Sequence, residues 1–202
     1  MAQFDVAVVG AGPAAFHAVE EIVKKSKTTR VAYVHGYTFK EWSMAAAIFL
    51  NDPEEHKTWV AGDPEKWKVP KAKWPNVTYF LSAPETIDCE KKEVRLMNKG
   101  PDAGTVISYK AIILATGSNS PLISPSSGMS LSERVAEVKA CGKALKGAKT
   151  VIFNGAGLVG VEMCGDFRAR NGAWTCRNNW KQMSDVSVGS WDLLGAQDMA
   201  RK

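Results

Sequence analysis

The chain has 202 residues, of which 45% are hydrophobic and 23% charged, with a net charge of +5 and a sequence pI near 9.0. This is the composition of a soluble globular protein, of one domain or one and a part. The basic balance is mild and its lysines are spread along the chain, which describes a solvated surface and argues against a nucleic-acid-binding or membrane-binding face.

The stretch from Phe4 to Val23 opens with Val6–Val9, a β-branched run that reads as a strand buried in a parallel sheet. It stops at Gly10. Gly10, Gly12 and Ala15 then give G-x-G-x-x-A. In this pattern the first glycine permits a tight turn, the second lets backbone approach a pyrophosphate, and the small third residue lets a helix pack closely on the strand. Pro13 and Ala14 fall in the first helical turn, where the N–H that proline lacks has no intrahelical partner. Ala15, Ala18, Val19, Ile22 and Val23 recur at helical spacing and can bury one face. The helix N-terminus aims unsatisfied N–H groups at the strand end, so the pattern predicts a bound phosphate there.

Thr29–Val34 reads as the second strand, ending at His35. A dinucleotide-binding unit usually carries Asp or Glu at this place to hold the adenosine ribose. A neutral imidazole accepts one hydrogen bond where a carboxylate accepts several, so His35 either makes a weaker ribose anchor or merely closes the strand. Phe39–Leu50 has high helix propensity and is expected to form a helix near the cofactor side of the sheet. Asn51–Pro75 carries four prolines and Trp59, Trp67 and Trp74 among many lysines. Lysine interleaved with tryptophan could form a single-stranded nucleic-acid platform. No binding module surrounds it, so a surface excursion whose aromatics fold back on the core is expected, with no nucleic-acid partner.

Val77–Leu81, Thr86–Cys89, Glu93–Met97 and Thr105–Tyr109 read as short strands, the last three forming an antiparallel meander. Lys110–Gly117 reads as a further buried parallel strand ending in Ala115-Thr116-Gly117. A proline- and serine-rich linker follows. Ser130 and Glu133 form a capping box for a helix on which Leu131, Val135, Val138 and Leu145 share a face. Thr150–Asn154 is expected to be a strand leading into a second fingerprint, with Gly155, Gly157 and Gly160 in the glycine positions. Two such units imply two dinucleotides.

Cys89, Cys141, Cys164 and Cys176 show no close pairing, which argues against a disulfide framework, a metal site or a redox dithiol and suits a reducing compartment. No window approaches the ~18 apolar residues of a membrane span. The first strand starts almost at Met1, leaving no room for a leader, and a cytoplasmic location is expected.

A glycine fingerprint at the N-terminus, ETIDCEKKEVRL in the meander, YKAIILATGS, then VIFNGAGLVGVE is an order of pieces that resembles the pyridine nucleotide-disulfide oxidoreductase superfamily. Within it the chain looks most like the branch of apoptosis-inducing-factor-like proteins and type II NADH dehydrogenases. The resemblance covers about Phe4 to Phe167. It implies an α/β fold: a Rossmann-like parallel-sheet FAD-binding domain with an antiparallel β-meander, over residues 1–122, and the start of a second Rossmann-like NAD(P)-binding unit, over 123–168. FAD would be held by Gly10, Gly12, Pro13, Ala14 and Ala15, with His35 at the ribose position and Ala115, Thr116 and Gly117 as a second flavin-side motif. NAD(P)H would be held by Gly155, Gly157 and Gly160. In the family the residue matching Glu162 lies near where nicotinamide meets isoalloxazine, which makes it the catalytic candidate. The implied activity passes a hydride from NAD(P)H to FAD and then electrons to a quinone-like or other acceptor.

The sequence departs from the family pattern at His35 and after Arg168. Residues 169–202 lack the second strand of the NAD unit, the closing flavin-domain strand and the C-terminal interface domain. The expectation is therefore a C-terminally truncated chain with a poorly ordered tail and little turnover of its own. The alternative is a noncatalytic nucleotide-binding isoform or remnant that pairs with a full-length relative.

Overall fold

A computed structural model of the chain describes residues 3–117, 120, 122–148, 150–153 and 157–171. Gly155 and the tail beyond residue 171, on which two of the expectations above fall, lie outside the described residues. The elements in order are β1 (Gln3–Val9), α1 (Pro13–Lys25), β2 (Val31–Val34), β3 (Lys40–Glu41), α2 (Ala46–Asn51), α3 (His56–Trp59), β4 (Val60–Ala61), α4 (Pro64–Trp67), β5 (Val77–Phe80), β6 (Pro84–Asp88), β7 (Glu93–Leu96), β8 (Val106–Leu114), α5 (Leu131–Gly147) and α6 (Leu158–Asn171). The chain divides into two compact units, one of Met1–Lys40, Ala61–Asn119 and Ser126–Leu131, the other of Glu41–Val60, Ser120–Pro125 and Ser132–Lys202.

The first unit is built on a six-stranded sheet in the order β5-β2-β1-β8-β7-β6. β5, β2, β1 and β8 run parallel, and β8, β7 and β6 run antiparallel. Alternation along β1 sends Val8 to one face and Ala7 and Val9 to the other. On the Val8 face, α1 buries Ala15, Val19 and Val23 against Val31, Tyr33, Val77 and Trp74. Each fully buried Val contributes about 1.5–3 kcal/mol, so this face is what fixes the helix on the sheet. The other face is filled from within the sheet, where Val94, Leu96, Ile107 and Tyr109 of the meander pack on Ala7, Val9, Ala32 and Val34.

Two of the sequence expectations are corrected in this unit. Thr105–Tyr109 and Lys110–Gly117 are not separate strands, because β8 runs unbroken from Val106 to Leu114. Nothing in Tyr109-Lys110 can turn the chain. Its first part pairs antiparallel with β7 through Val106, Ile107 and Ser108, and from Ser108 onward it pairs parallel with β1. Nor is its second part buried: Ile113 is 36% and Leu114 57% exposed. Among the described residues no strand continues the ladder on that side once β7 has ended.

The Phe39–Leu50 expectation also changes. The stretch begins extended as β3, passes through a single 3-10 turn at Ser43–Ala45, and is helical only over Ala46–Asn51. Helix propensity yields here to tertiary bonds, since the Trp42 N–H donates to the Trp59 carbonyl and Glu41 is drawn into a buried ion pair described below. The buried face of α2, Ala46, Phe49 and Leu50, packs in the second unit with Val138, Cys141 and Leu145 of α5 and Cys164 and Phe167 of α6.

That second unit is a small helical cluster. The buried stripe of α5 is Arg134, Val138, Cys141, Gly142 and Leu145, so an arginine occupies a position the apolar pattern assigned to Leu131 and Val135. Asn51 ends α2 by donating to the Ala47 carbonyl at 2.8 Å and to Asp166 Oδ2 of α6 at 2.9 Å. Thr150–Phe153, expected as a strand, makes no ladder among the described residues. Phe153 is nevertheless buried, its ring 5.8 Å from that of Phe167. The tryptophans of the 51–75 excursion fold inward, with Trp74 in the sheet core and Trp59 against the helical cluster.

Candidate functional site: a glycine cradle at the ends of the parallel strands

The carboxyl ends of the parallel strands lie side by side in the first unit. Gly10 N–H donates to the Val34 carbonyl at 2.9 Å, Ala115 N–H to the Val9 carbonyl at 2.8 Å, and His35 N–H to the Phe80 carbonyl at 2.9 Å. Three sequence-predicted positions, Gly10, His35 and Ala115, are thereby brought to one end of one sheet.

The glycines there do different work. Gly10 has φ of +148°, and a Cβ on it would stand 2.1 Å from the Ala115 carbonyl oxygen. Only glycine can make that turn while β8 passes so close. Gly12 has φ of −86° and ψ of 177°, ordinary extended backbone, and a Cβ on it would meet nothing within 4 Å. Its lack of a side chain therefore serves no packing inside the protein; it leaves open the space in front of α1.

The first turn of α1 faces that space. Gly12 is the N-cap with no side chain to bond the free N–H groups, Pro13 is at the start of the helix, and the turn carries no acidic residue. Pro13 and Ala14 are exposed, whereas Ala15 is buried against the sheet. The ladder begins with Phe16 N–H donating to the Gly12 carbonyl at 3.1 Å, so the Ala14 and Ala15 N–H groups ahead of it are open to an anion. Thr116 and Gly117 follow Ala115 on the exposed end of β8, Gly117 with φ of +72°.

His35 is 3% exposed. Its Nδ1–H donates to the Tyr37 carbonyl at 3.0 Å, Trp67 stacks on its ring at 4.3 Å, and Tyr33 meets it edge to face. Burial, helped by the nearby charges of Lys40 and Lys68, pushes its pKa down from 6.5 to about 4, against the Tyr37 bond that raises it. The ring is neutral at pH 7. Trp67 was read from the sequence only as an excursion aromatic; its partnership with His35 spans residues whose spacing carries no periodic sign of contact.

In the second unit Gly157 precedes α6 and accepts from the Val161 N–H at 3.0 Å, with open space where a Cβ would point. Gly160 is buried within α6 and Glu162 is exposed on it. The same unit holds a charge cluster that sequence reasoning missed. Arg134, fully buried, makes two bonds to Glu41, one to Glu137, and donates to the Leu122 carbonyl at 2.8 Å. His56 Nε2 lies 2.7 Å from Glu41 Oε2. Burial alone would raise the Glu41 carboxyl, but His56 and Arg134 hold it below its usual range. Every charge in the cluster is answered by another, which makes it a structural clasp.

Among the described residues no group of three or more His, Cys, Asp or Glu side chains is placed to hold a metal ion. No helix of the described residues is long and apolar enough to cross a membrane. Cys89 is an exposed thiol, Cys141 and Cys164 are thiols packed in the helical cluster, and none of these three is part of a disulfide.

Residues 4–179 match the family model described as pyridine nucleotide-disulphide oxidoreductase. Comparison with curated proteins gives no match. Among solved structures, the chain is similar to a NADH:rubredoxin oxidoreductase from Clostridium acetobutylicum (TM-score 0.56, 16% identity, 88% of this chain and 44% of that one). It is also similar to a water-forming NADH oxidase from Lactobacillus brevis bound to NADH (TM-score 0.59, 20% identity, 87% and 39%). A third similar structure is a NAD-dependent persulfide reductase from A. fulgidus (TM-score 0.62, 17% identity, 86% and 34%). At these identities the likeness shows the fold, and the chain spans less than half the length of each structure.

Proposed function

Because the chain belongs to the pyridine nucleotide-disulphide oxidoreductase family, we propose that its first unit binds FAD in the cradle between Gly12, the first turn of α1 and the Ala115-Thr116-Gly117 end of β8. The cofactors of the family are FAD and NAD(P)H. The observation that carries the reading is the open space at Gly12: a position where a side chain would fit the fold but where its absence leaves room for a phosphate against backbone. The residues present fit such a group. The first turn of α1 carries no carboxylate to repel it, and the N–H groups of Ala14 and Ala15 would bond its oxygens.

Bound there, FAD would supply a two-electron acceptor for the hydride of NAD(P)H and would pass the electrons on to a quinone-like or other acceptor. Gly155, Gly157 and Gly160 are proposed to face NAD(P)H, and Glu162, exposed on α6, to lie on the nicotinamide side. The branch of apoptosis-inducing-factor-like proteins and type II NADH dehydrogenases is proposed on the absence of a dithiol spacing among the cysteines.

A second reading, a noncatalytic nucleotide-binding chain that pairs with a full-length relative, is favoured by one observation: among the described residues Thr150–Phe153 makes no ladder, whereas the strand before the first fingerprint is paired on both sides. Expressing residues 1–202 separates the two. FAD that co-purifies and is reduced by NADH or NADPH in the presence of a quinone or dye acceptor supports the oxidoreductase. FAD bound without reduction supports the noncatalytic reading, and no flavin at all overturns the assignment of the first unit.

A further inference from the structure

The end of β2 is where a dinucleotide-binding unit reads the adenosine ribose, and His35 keeps one group suited to that task. With its Nδ1–H donating to the Tyr37 carbonyl at 3.0 Å, the neutral ring leaves Nε2 a bare acceptor, able to take one hydrogen bond from a hydroxyl. A ribose cannot reach it as the chain stands. His35 is 3% exposed, and Trp67 lies on its ring with the centroids 4.3 Å apart and the planes 29° from parallel.

The indole is loosely held there. Its Nε1–H is buried and has no hydrogen-bond partner among the described residues, and the desolvation of an unpaired donor costs at least as much as one aromatic pair returns. The four-residue helix α4 that carries it closes hydrogen bonds on itself: Glu65 N–H donates to Asp63 Oδ1 at 3.0 Å and Lys68 N–H to the Pro64 carbonyl at 2.9 Å. The backbone is tied to the sheet just beyond, where Val69 N–H donates to the Tyr79 hydroxyl at 3.2 Å. Trp67 itself meets the sheet through rings, stacked on His35 and edge to face with Tyr79 at 6.2 Å.

We propose that Trp67 is a displaceable lid on the adenosine end of the first nucleotide site. In the free chain the indole covers His35; when a nucleotide binds, the indole leaves the ring, its N–H reaches solvent, and a ribose hydroxyl donates to His35 Nε2. The inference rests on the FAD reading of the preceding section. It gives a role to a residue outside both glycine motifs, and it makes the free chain closed to adenosine while the space in front of Gly12 stays open.

Calorimetric titration of the flavin-free full chain with FAD, ADP, adenosine and inorganic diphosphate tests it, in the wild type and in Trp67→Ala. Removing the lid is expected to tighten FAD, ADP and adenosine about fivefold, the scale of one aromatic stack, and to leave diphosphate unchanged. A second measurement needs no cavity in the fold: saturating ADP is expected to change the tryptophan emission of the wild type as the indole moves into water, and the change is lost in Trp67→Phe. Trp67→Ala that folds and binds ADP no more tightly than the wild type overturns this inference alone, and weaker binding does so too, since the indole would then be a contact and not a lid. An equal gain for diphosphate also overturns it, because the whole site would have changed. Should Trp67→Ala fail to fold, an ADP-induced emission change equal in wild type and Trp67→Phe overturns it. Failure of both the wild type and Trp67→Ala to bind FAD overturns the FAD reading together with it.

Discussion

Arg134 and Glu41, 93 residues apart in sequence, form a bidentate pair shut off from solvent: Nε donates to Oε2 at 2.9 Å and Nη2 to Oε1 at 3.0 Å. The two side chains are 0% and 2% exposed. The same guanidinium bonds the carbonyls of Leu122 and Ile123 and lies over the Phe49 ring at 5.7 Å. One side chain thus ties α5 to the 41–60 excursion and to the linker that follows β8. A buried pair of this kind contributes little beyond what an apolar pair would, but losing one member leaves the other charge stranded.

Arg134→Met is therefore expected to destabilise the protein by about 3–5 kcal/mol, read by urea unfolding. Glu41→Met combined with Arg134→Met should recover at least part of that loss, because no buried charge is left alone. A double variant as unstable as the sum of the singles would show that the pair is not coupled.

His35 gives the stability a specific pH dependence. Its folded pKa, about 4, is below its ordinary 6.5, so between those values the unfolded chain binds the extra proton. The stabilisation is fully present above about pH 6.5 and is lost as pH falls toward 4, by about 3 kcal/mol in all. His35→Phe keeps an aromatic ring for Trp67 and removes the titration. The difference in unfolding free energy between wild type and variant should shift by this amount across the window; a difference independent of pH would contradict the burial of a neutral ring.

Much of the first unit was legible because its restraints are local. Gly10 must turn where β1 ends, Pro13 starts α1, and the 3.6-residue spacing of Ala15, Val19 and Val23 names the face that meets the sheet. The contact of Gly10 with Ala115 was legible only as two motifs, since no pattern gives the distance between residues so far apart. Period and propensity failed where long-range bonds decide. Glu41 is extended because Arg134 and His56 claim its carboxylate, and Arg134 sits in a buried stripe because carboxylates and carbonyls surround it. β8 was divided at Tyr109 because its two halves have different neighbours, a property of the sheet and not of the strand.

Gly142 makes a further restraint visible. A Cβ there would stand 2.2 Å from Pro53 Cγ and 2.6 Å from its Cδ, so α5 is pressed on the short turn that follows α2. Alanine favours a helix interior over glycine by about 1 kcal/mol, but overpacking costs about 1–3 kcal/mol. Gly142→Ala should destabilise the protein on balance, measured by thermal melting. A higher melting temperature would mean that Pro53 moves aside freely.

The cradle at Gly12 bears the central claim, that the first unit binds FAD by its diphosphate, and the fold allows a clean test of it. A valine at Gly12 would have room within the protein, and the extended backbone there, preceding Pro13, suits a β-branched residue. Gly12→Val should therefore keep the wild-type circular dichroism and melting temperature without flavin. The decisive measurement is its dissociation constant for FAD against that of the wild type: a weakening of about a hundredfold or more is expected, and a folded Gly12→Val protein that binds FAD as the wild type does would contradict the account.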